Sequence, residues 1–366
     1  MDIKIPKLSI GEITAELPII QGGMSVGISL SNLVSAVANE GGIGVIGGAD
    51  IGMLELDFGK NFKKANERAL RNEIRKAKKL SNGIIGVNLL MALTDINELI
   101  EVCVEEGVNA VFLGAGLPLA LPKTLIESKK TKTIVIVSSG RAVKVIFRHW
   151  ERHHGRLPDG VVLEGPLAGG HLGFKYEQID NQKYTLENLL PEVLEQVKVF
   201  EDKYGKKIPV IAAGGIYTGY DIYKFMKMGA DAVQMATRFV ATYECDTSEE
   251  FKQQYVNAKK EDVIIIKSPV GMPGRAIKNK FLKEVEMGHK TPFSCPWQCL
   301  KYCDYKTAPY CISLALTNAK KGKFSYGFAF AGANVYRINK IVSVHELMEE
   351  LKSDYIKAAE KDLKNG

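Results

Sequence analysis

No stretch of this chain is apolar over the ~20 residues a helix needs to cross a bilayer. Its start, MDIKIPKLSIGEI, lacks the apolar core that follows the basic segment of a secretory signal. A cytoplasmic protein with no membrane partner is expected. There is also no arginine-rich stripe interleaved with aromatics. The net charge of +7, from 49 basic and 42 acidic residues, is mostly lysine spread along presumed helices and loops. Nucleic acid is therefore not the partner, and the charge implies only a mild pull on anionic ligands. Cysteine is scarce, six in 366 residues, and in a reducing compartment these are not disulfides. The first apolar run is not followed by G-x-G-x-x-G and a ribose-binding acid, and Gly42–Gly47 flanks a strand instead of opening a helix. That argues against a doubly wound dinucleotide-binding sheet.

Glycine, by contrast, is plentiful: 35 residues, gathered at the ends of apolar runs. Eight short β-rich runs have this punctuation: Pro18–Gly23, Gly42–Gly48, Ile84–Leu90, Ala110–Gly116, Thr133–Ser139, Gly160–Gly165, Pro209–Gly215 and Ala232–Arg238. They are apolar throughout instead of alternating, as in parallel strands buried on both faces. Helical patterns fill the gaps at Ser31–Glu40, Asn66–Leu80, Ile96–Glu106, Ala142–His154, Leu186–Tyr204 and Gly219–Met228. The phrase VEEGVNAVFLG at Val104–Gly114 recurs as MKMGADAVQMA at Met226–Ala236, each a helix stopped by glycine before a strand. Repeated βα units predict an α/β fold, a (β/α)8 TIM barrel. The barrel is expected over residues 1–240, with terminal helices over 312–366. Between them, 241–311 forms an irregular insertion over the barrel mouth, broken by Pro269, Pro273, Pro292, Pro296 and Pro309.

The active site of such a barrel lies at the C-terminal strand ends, with phosphate often held after strands seven and eight. Those ends carry Gly22, Gly23 and Met24; Asn88; Glu164; Ala213, Gly214 and Gly215; and Met235, Ala236 and Thr237. Gly214, Gly215, Ala236 and Thr237 offer free backbone N–H groups and one hydroxyl, an anion nest. His171 follows Gly169 and Gly170, whose small size lets a flat ligand approach. It is the sole histidine at a predicted strand end and the candidate acid/base. His149, His153 and His154 lie on a basic helix and are expected to face solvent.

In order along the chain, PIIQGGM, GVNLL, LGAGLP, EGPLAGGHLG, PVIAAGGI and VQMATRF resemble the nitronate monooxygenase (2-nitropropane dioxygenase) family, over about residues 18–282. That family includes flavin-dependent enoyl-acyl-carrier-protein reductases and NADH:quinone reductases. The resemblance implies FMN at the barrel mouth. Gly22, Gly23, Met24 and Asn88 match positions near its ring and ribityl chain, and Gly214, Gly215, Ala236 and Thr237 match its phosphate site. His171 matches the catalytic histidine. Two positions depart from the pattern. Leu167 stands where the family has glutamate two residues before the paired glycines, which bears on the substrate or its activation. Ala236 replaces a glycine, which leaves backbone donation intact.

Cys295, Cys299, Cys303 and Cys311 form C-x3-C-x3-C-x7-C. If Cys295–Cys303 is helical, with Pro296 in its first turn, three thiols share one face. The set can hold a [4Fe–4S] cluster, with zinc second. Cys103 and Cys245 are expected to be structural. The expected function is FMN-dependent oxidation of a nitronate or similar small substrate at flavin N5, with His171 as acid/base. The alternatives are an NAD(P)H-dependent enoyl-thioester or quinone reductase and a non-redox phosphate-binding isomerase. A homodimer is compatible with all three.

Overall fold

The computed structural model describes residues 3–289, 294, 295 and 297–365. At its centre eight parallel strands close into a barrel: β1 Ile19–Gln21, β2 Ile43–Gly47, β3 Ile84–Leu90, β4 Ala110–Gly114, β5 Lys132–Val137, β6 Gly160–Glu164, β7 Val210–Ala213 and β8 Ala232–Met235. Each pairs with the next, and β8 returns to β1 with Val233 opposite Ile19. All eight expected strands are present.

Both faces of each strand are apolar because both are covered. Ile20, Val45, Phe112, Ile134, Val162 and Ile211 fill the interior, and Leu8 and Ile10 plug its lower end. Those two belong to a hairpin, Leu8–Ile10 with Ile13–Ala15. The outward residues, such as Leu89, Leu113, Leu163 and Val210, are buried against the helical ring.

That ring comprises α1 Ser31–Asn39, α2 Phe62–Leu80, α3 Ile96–Glu105, α4 Lys123–Glu127, α5 Gly140–His154, α6 Leu186–Tyr204, α7 Gly219–Lys227 and α8 Thr237–Val240. Helix α2 begins earlier than the apolar pattern suggested because Asn61 caps it, accepting from Lys64 N–H at 3.2 Å. The five-residue α4 is too short to show a period and was not anticipated. Gly107 and Gly229, the matched glycines of the repeat, both adopt positive φ, +61° and +107°.

The 241–311 insertion is more ordered than its prolines implied. It contains helix Glu249–Val256, an antiparallel pair Val263–Lys267 and Pro273–Ile277, and helix Lys280–Glu286. Pro273 is tolerated because it begins its strand. The helix weighed for Cys295–Cys303 is not seen among the described residues of that span. Among the described residues 294–311 are turns and irregular backbone, and Gln298 is left-handed at φ 47°. Pro292 and Pro296 lie outside the described residues. Beyond Ile312–Lys320, a closing helix at Val344–Asn365 packs so tightly on α7 that a Cβ at Gly219 would lie 2.1 Å from Leu351 O.

Candidate active site

A cavity of about 460 Å³ opens at the C-terminal strand ends, within the range of small-ligand sites. Gly22, Gly23, Met24, Asn88, Glu164, Gly169, Gly170, His171, Ala213, Gly214, Gly215, Met235, Ala236 and Thr237 all line it. The barrel's convergence brings these separate strand ends to one place.

Each wall is shaped by local packing. At Gly23 an added Cβ would lie 2.5 Å from Asn88 Cβ, so the β1 turn can sit against β3 only with glycine. Asn88 is held by its amide donating to Phe112 O at 3.4 Å. Gly214 and Gly215 both adopt φ +91°, and a Cβ on Gly214 would meet Gly165 O at 2.7 Å. Their N–H groups and that of Thr237 find no protein acceptor among the described residues. The Thr237 hydroxyl accepts from Gly332 N–H at 3.0 Å, and Asn334 Nδ2 donates to Gly215 O at 2.6 Å. Tyr217, also on the wall, is flanked by the guanidinium carbons of Arg238 and Arg337 at 4.6 and 4.1 Å from its ring centre. Positive charge thus backs a concave set of unused donors, and no lysine or arginine among the described residues enters the cavity itself. The chemistry of that donor set fits the phosphate of a flavin mononucleotide.

His171 is positioned by the insertion. Gly170–His171 forms a short third strand on the antiparallel pair, with His171 opposite Gly274. Its Nε2 lies 2.7 Å from Ser268 Oγ, and the Phe330 ring meets it edge-on at 5.1 Å. Burial pushes the imidazole down to about 4, so it is neutral at physiological pH. Arg275, on the same hairpin and buried, donates to Ala168 O at 3.2 Å and Pro166 O at 2.8 Å. It therefore pins the loop that carries the histidine. Glu164, at the end of β6, has its carboxyl pushed up to about 7 by burial. Leu167, at the departure from the family pattern, is 45% exposed and packs over Gly215.

Sequence reasoning missed Ser268, Arg275, Tyr255 and the stretch Phe330–Asn334, which closes the cavity beside Thr237 and Gly215. It also missed Asp50, a left-handed residue at φ 49° whose Oδ2 accepts from the Ser313 hydroxyl and whose buried Oδ1 has no hydrogen-bond partner among the described residues. Burial raises its carboxyl to about 6. The glycine-rich interruption at 327–334 was the one available signal, and its target was not legible.

The six cysteines stand as free thiols in this structure. Among the described residues, the single His/Cys/Asp/Glu set with three ligand atoms within 4.8 Å of one another is the surface group Glu40, His345 and Glu349. No three cysteine sulfurs approach that closely.

A family model described as nitronate monooxygenase matches residues 7–354. The chain belongs to that family. It is 26% identical over 302 residues to a probable nitronate monooxygenase of Staphylococcus saprophyticus, covering 75% of this chain and 79% of the relative. It is 28% identical over 275 residues to a hydroxy-methyl-oxo-octahydroindene-carboxyl-CoA dehydrogenase of Mycobacterium tuberculosis, covering 75% of this chain and 67% of the relative. Among solved structures, FabK from Thermotoga maritima superposes with TM-score 0.74 at 27% identity over 96% of both chains. Nitroalkane oxidase from Streptomyces ansochromogenes, at 21% identity and TM-score 0.72, shares the barrel over 95% of this chain and 98% of its own. Membership makes this chain an oxidoreductase of the nitronate monooxygenase type. No helix among the described residues is long and apolar enough to span a membrane.

Proposed function

We propose that the chain holds FMN in the cavity and oxidises a small nitronate-like substrate there, with His171 as the proton-handling group. The observation that carries this reading is the nest of unused N–H donors at Gly214, Gly215 and Thr237, on the same cavity as a neutral histidine. The nest and the Thr237 hydroxyl would hold the phosphate. Gly22, Gly23, Met24 and Asn88 would lie along the ring and ribityl chain, and Gly169 and Gly170 would let the ring approach the β6 loop. FMN supplies hydride and single-electron chemistry at its N5.

The chain's own residues do the rest. With Nε2–H donated to Ser268 Oγ, Nδ1 of His171 keeps its lone pair and can take the α-carbon proton of a neutral nitroalkane, which leaves the nitronate to be oxidised; a substrate supplied as the nitronate has already lost that proton. The low proton affinity of the ring keeps that lone pair free at neutral pH. The cavity is mostly apolar and suits a short alkyl group. Leu167 presents an alkyl surface where the family has a carboxylate, so substrate activation falls to His171.

A second reading has its own support. The two-way 96% coverage with FabK favours reduction of a thioester-linked substrate, with NAD(P)H as co-substrate. Anaerobic mixing separates the two. A nitronate that bleaches the flavin, with no bleaching by NADH, supports the first reading. Rapid bleaching by NADH followed by recovery with a crotonyl thioester supports the second. Purified chain that is colourless and takes up no FMN overturns both and leaves a phosphate-binding, flavin-free enzyme.

A further inference from the structure

Outside the cavity, the most concentrated chemistry is the set of four cysteines, and it is built into the cavity's outer wall. The segment carrying them is fastened to the loop after β3. Leu300 bridges to Leu93, Thr94 N–H donates to Cys299 O at 3.0 Å, and Lys301 N–H donates to Ala92 O at 2.8 Å. Cys303 closes a turn, its N–H donating to Leu300 O at 3.3 Å. Cys311 sits at the start of helix Ile312–Lys320, with its thiol beside the N–H groups of Ser313 and Leu314. Cys299 is buried, with its sulfur 3.9 Å from Ser313 Oγ. Cys295 lies near enough to act electrostatically on Cys299, Cys303 and Cys311 alike. Residues interleaved with these cysteines, Leu300, Ile312 and Ser313, line the cavity directly.

Four thiols so gathered, one of them buried and three half-buried, have no disulfide partner and no thiolate-stabilising cation hydrogen-bonded to them among the described residues. Packing alone does not account for them. A small apolar side chain would fill each position without the exposure to oxidation that a thiol carries. A tetrahedral zinc site brings its sulfurs within about 4 Å of one another, given Zn–S bonds of about 2.3 Å. Here no three approach within 4.8 Å. That does not match a preformed zinc site, whereas the thiolates of a cubane attach to four separate iron atoms and stand further apart than zinc ligands do. The left-handed Gln298, an L-residue in a strained region between Cys295 and Cys299, turns the chain within the set.

From this arrangement we infer that Cys295, Cys299, Cys303 and Cys311 ligate a [4Fe–4S] cluster seated against the wall of the cofactor cavity. Docking an assembled cluster from a thiol carrier is a ligand exchange: four Fe–S bonds to the carrier break, four form to these cysteines, and the four protons lost from these thiols are taken up by the carrier's released thiolates; iron and sulfide arrive with the cluster and no oxidant is consumed. The site adds a one-electron carrier next to the cavity. It does not depend on which cofactor fills the cavity.

The test uses the full chain, purified anaerobically from cells supplied with iron, or reconstituted anaerobically with equal amounts of ferrous and ferric iron and with sulfide, which supply the 2+ cluster without an added oxidant. About four iron and four acid-labile sulfide per chain are expected, with a broad visible absorption bleached by dithionite and an accompanying paramagnetic signal. Cys299→Ser should lose most of the iron. Because Cys299 is buried and its variant can misfold, Cys303→Ser on the half-exposed turn is made beside it and should lose iron while keeping the parent's circular dichroism. Cys245→Ser, outside the set, should keep full iron. One zinc per chain in place of iron overturns the cluster. So does wild-type chain without stoichiometric metal under both preparations, or a Cys303→Ser chain with undiminished iron.

Discussion

Glu164 and His171 line the same cavity, and burial moves their protons in opposite directions. Exchanging Glu164 for glutamine isolates one of the two effects. The carboxyl titrates near 4.5 when unfolded and at about 7 in the fold. Across that window the folded chain keeps a proton that the unfolded chain has released. The favourable contribution of the neutral acid is therefore complete below about pH 4.5 and is lost as pH rises through 7. A shift of about 2.5 units at 1.36 kcal/mol each amounts to about 3 kcal/mol. His171 runs the other way, from 6.5 unfolded to about 4 folded. Its buried neutral ring contributes fully above about pH 6.5, and about 3 kcal/mol is lost as pH falls through 4. Between about pH 4.5 and 6.5 the two slopes nearly cancel. Glu164→Gln should therefore gain stability over the parent steadily from about pH 4.5 to 7, by about 3 kcal/mol in all. His171→Gln should show the mirror image, gaining on the parent as pH falls from about 6.5 to 4. Urea unfolding of flavin-free protein across this range, followed by circular dichroism, measures both differences. A gap that does not change with pH, or one of opposite slope, refutes the assignment of the two buried groups.

Replacing His171 with asparagine should lower turnover with a neutral nitroalkane about 10²–10⁴-fold while turnover of the preformed nitronate and flavin absorbance per chain stay unchanged; retained nitroalkane turnover would remove it from proton transfer. Gly214→Ala adds a Cβ at φ +91°, 2.7 Å from Gly165 O, and the strain of about 1–2 kcal/mol should weaken FMN binding roughly tenfold in a fluorescence titration. Gly59→Ala, where an added Cβ meets nothing within 4 Å, should bind FMN as the parent does. Arg275→Met leaves the carbonyls of Pro166 and Ala168 without their buried donor and should cost about 1–3 kcal/mol in unfolding free energy, with His171-dependent turnover reduced as its loop loosens. An unchanged unfolding midpoint would show that the loop is held by other means.

The barrel was legible because its signals are local. Runs such as IIGVNLL and TIVIVSS are apolar on both faces, and that pattern is hard to satisfy except in a covered parallel sheet. The strand-end residues were legible for a related reason: once the strands close, their C-terminal ends have nowhere to go but one mouth. The five residues of α4 carried no period to detect. The Val263–Lys267 and Pro273–Ile277 pair was obscured because prolines nearby suggested irregular backbone, although a proline that opens a strand gives up no ladder bond. The helix weighed for the cysteines rested on their four-residue spacing and on Pro296 as a first-turn residue. It yielded to tertiary contacts with the loop after β3, where Thr94 and Ala92 supply backbone partners that a helix would have satisfied internally.

The contacts that set the histidine's chemistry are the least local of all. Ser268 lies 97 positions from His171, and Phe330, which shields the ring, is further still along the chain. Neither could be paired with it from spacing. This separation has a consequence for how the enzyme divides its work. The barrel strands supply the donors at Gly214, Gly215 and Thr237, and these depend on backbone turns that tolerate almost no side-chain change. The insertion and the 327–334 stretch supply the partner, the shielding and the loop anchor of His171, all through side chains that can be exchanged without disturbing the barrel. Proton affinity at the site can therefore be retuned from the insertion while the phosphate nest stays fixed. Substitutions at Ser268 or Phe330 should then shift the pH profile of turnover while leaving FMN affinity as it was.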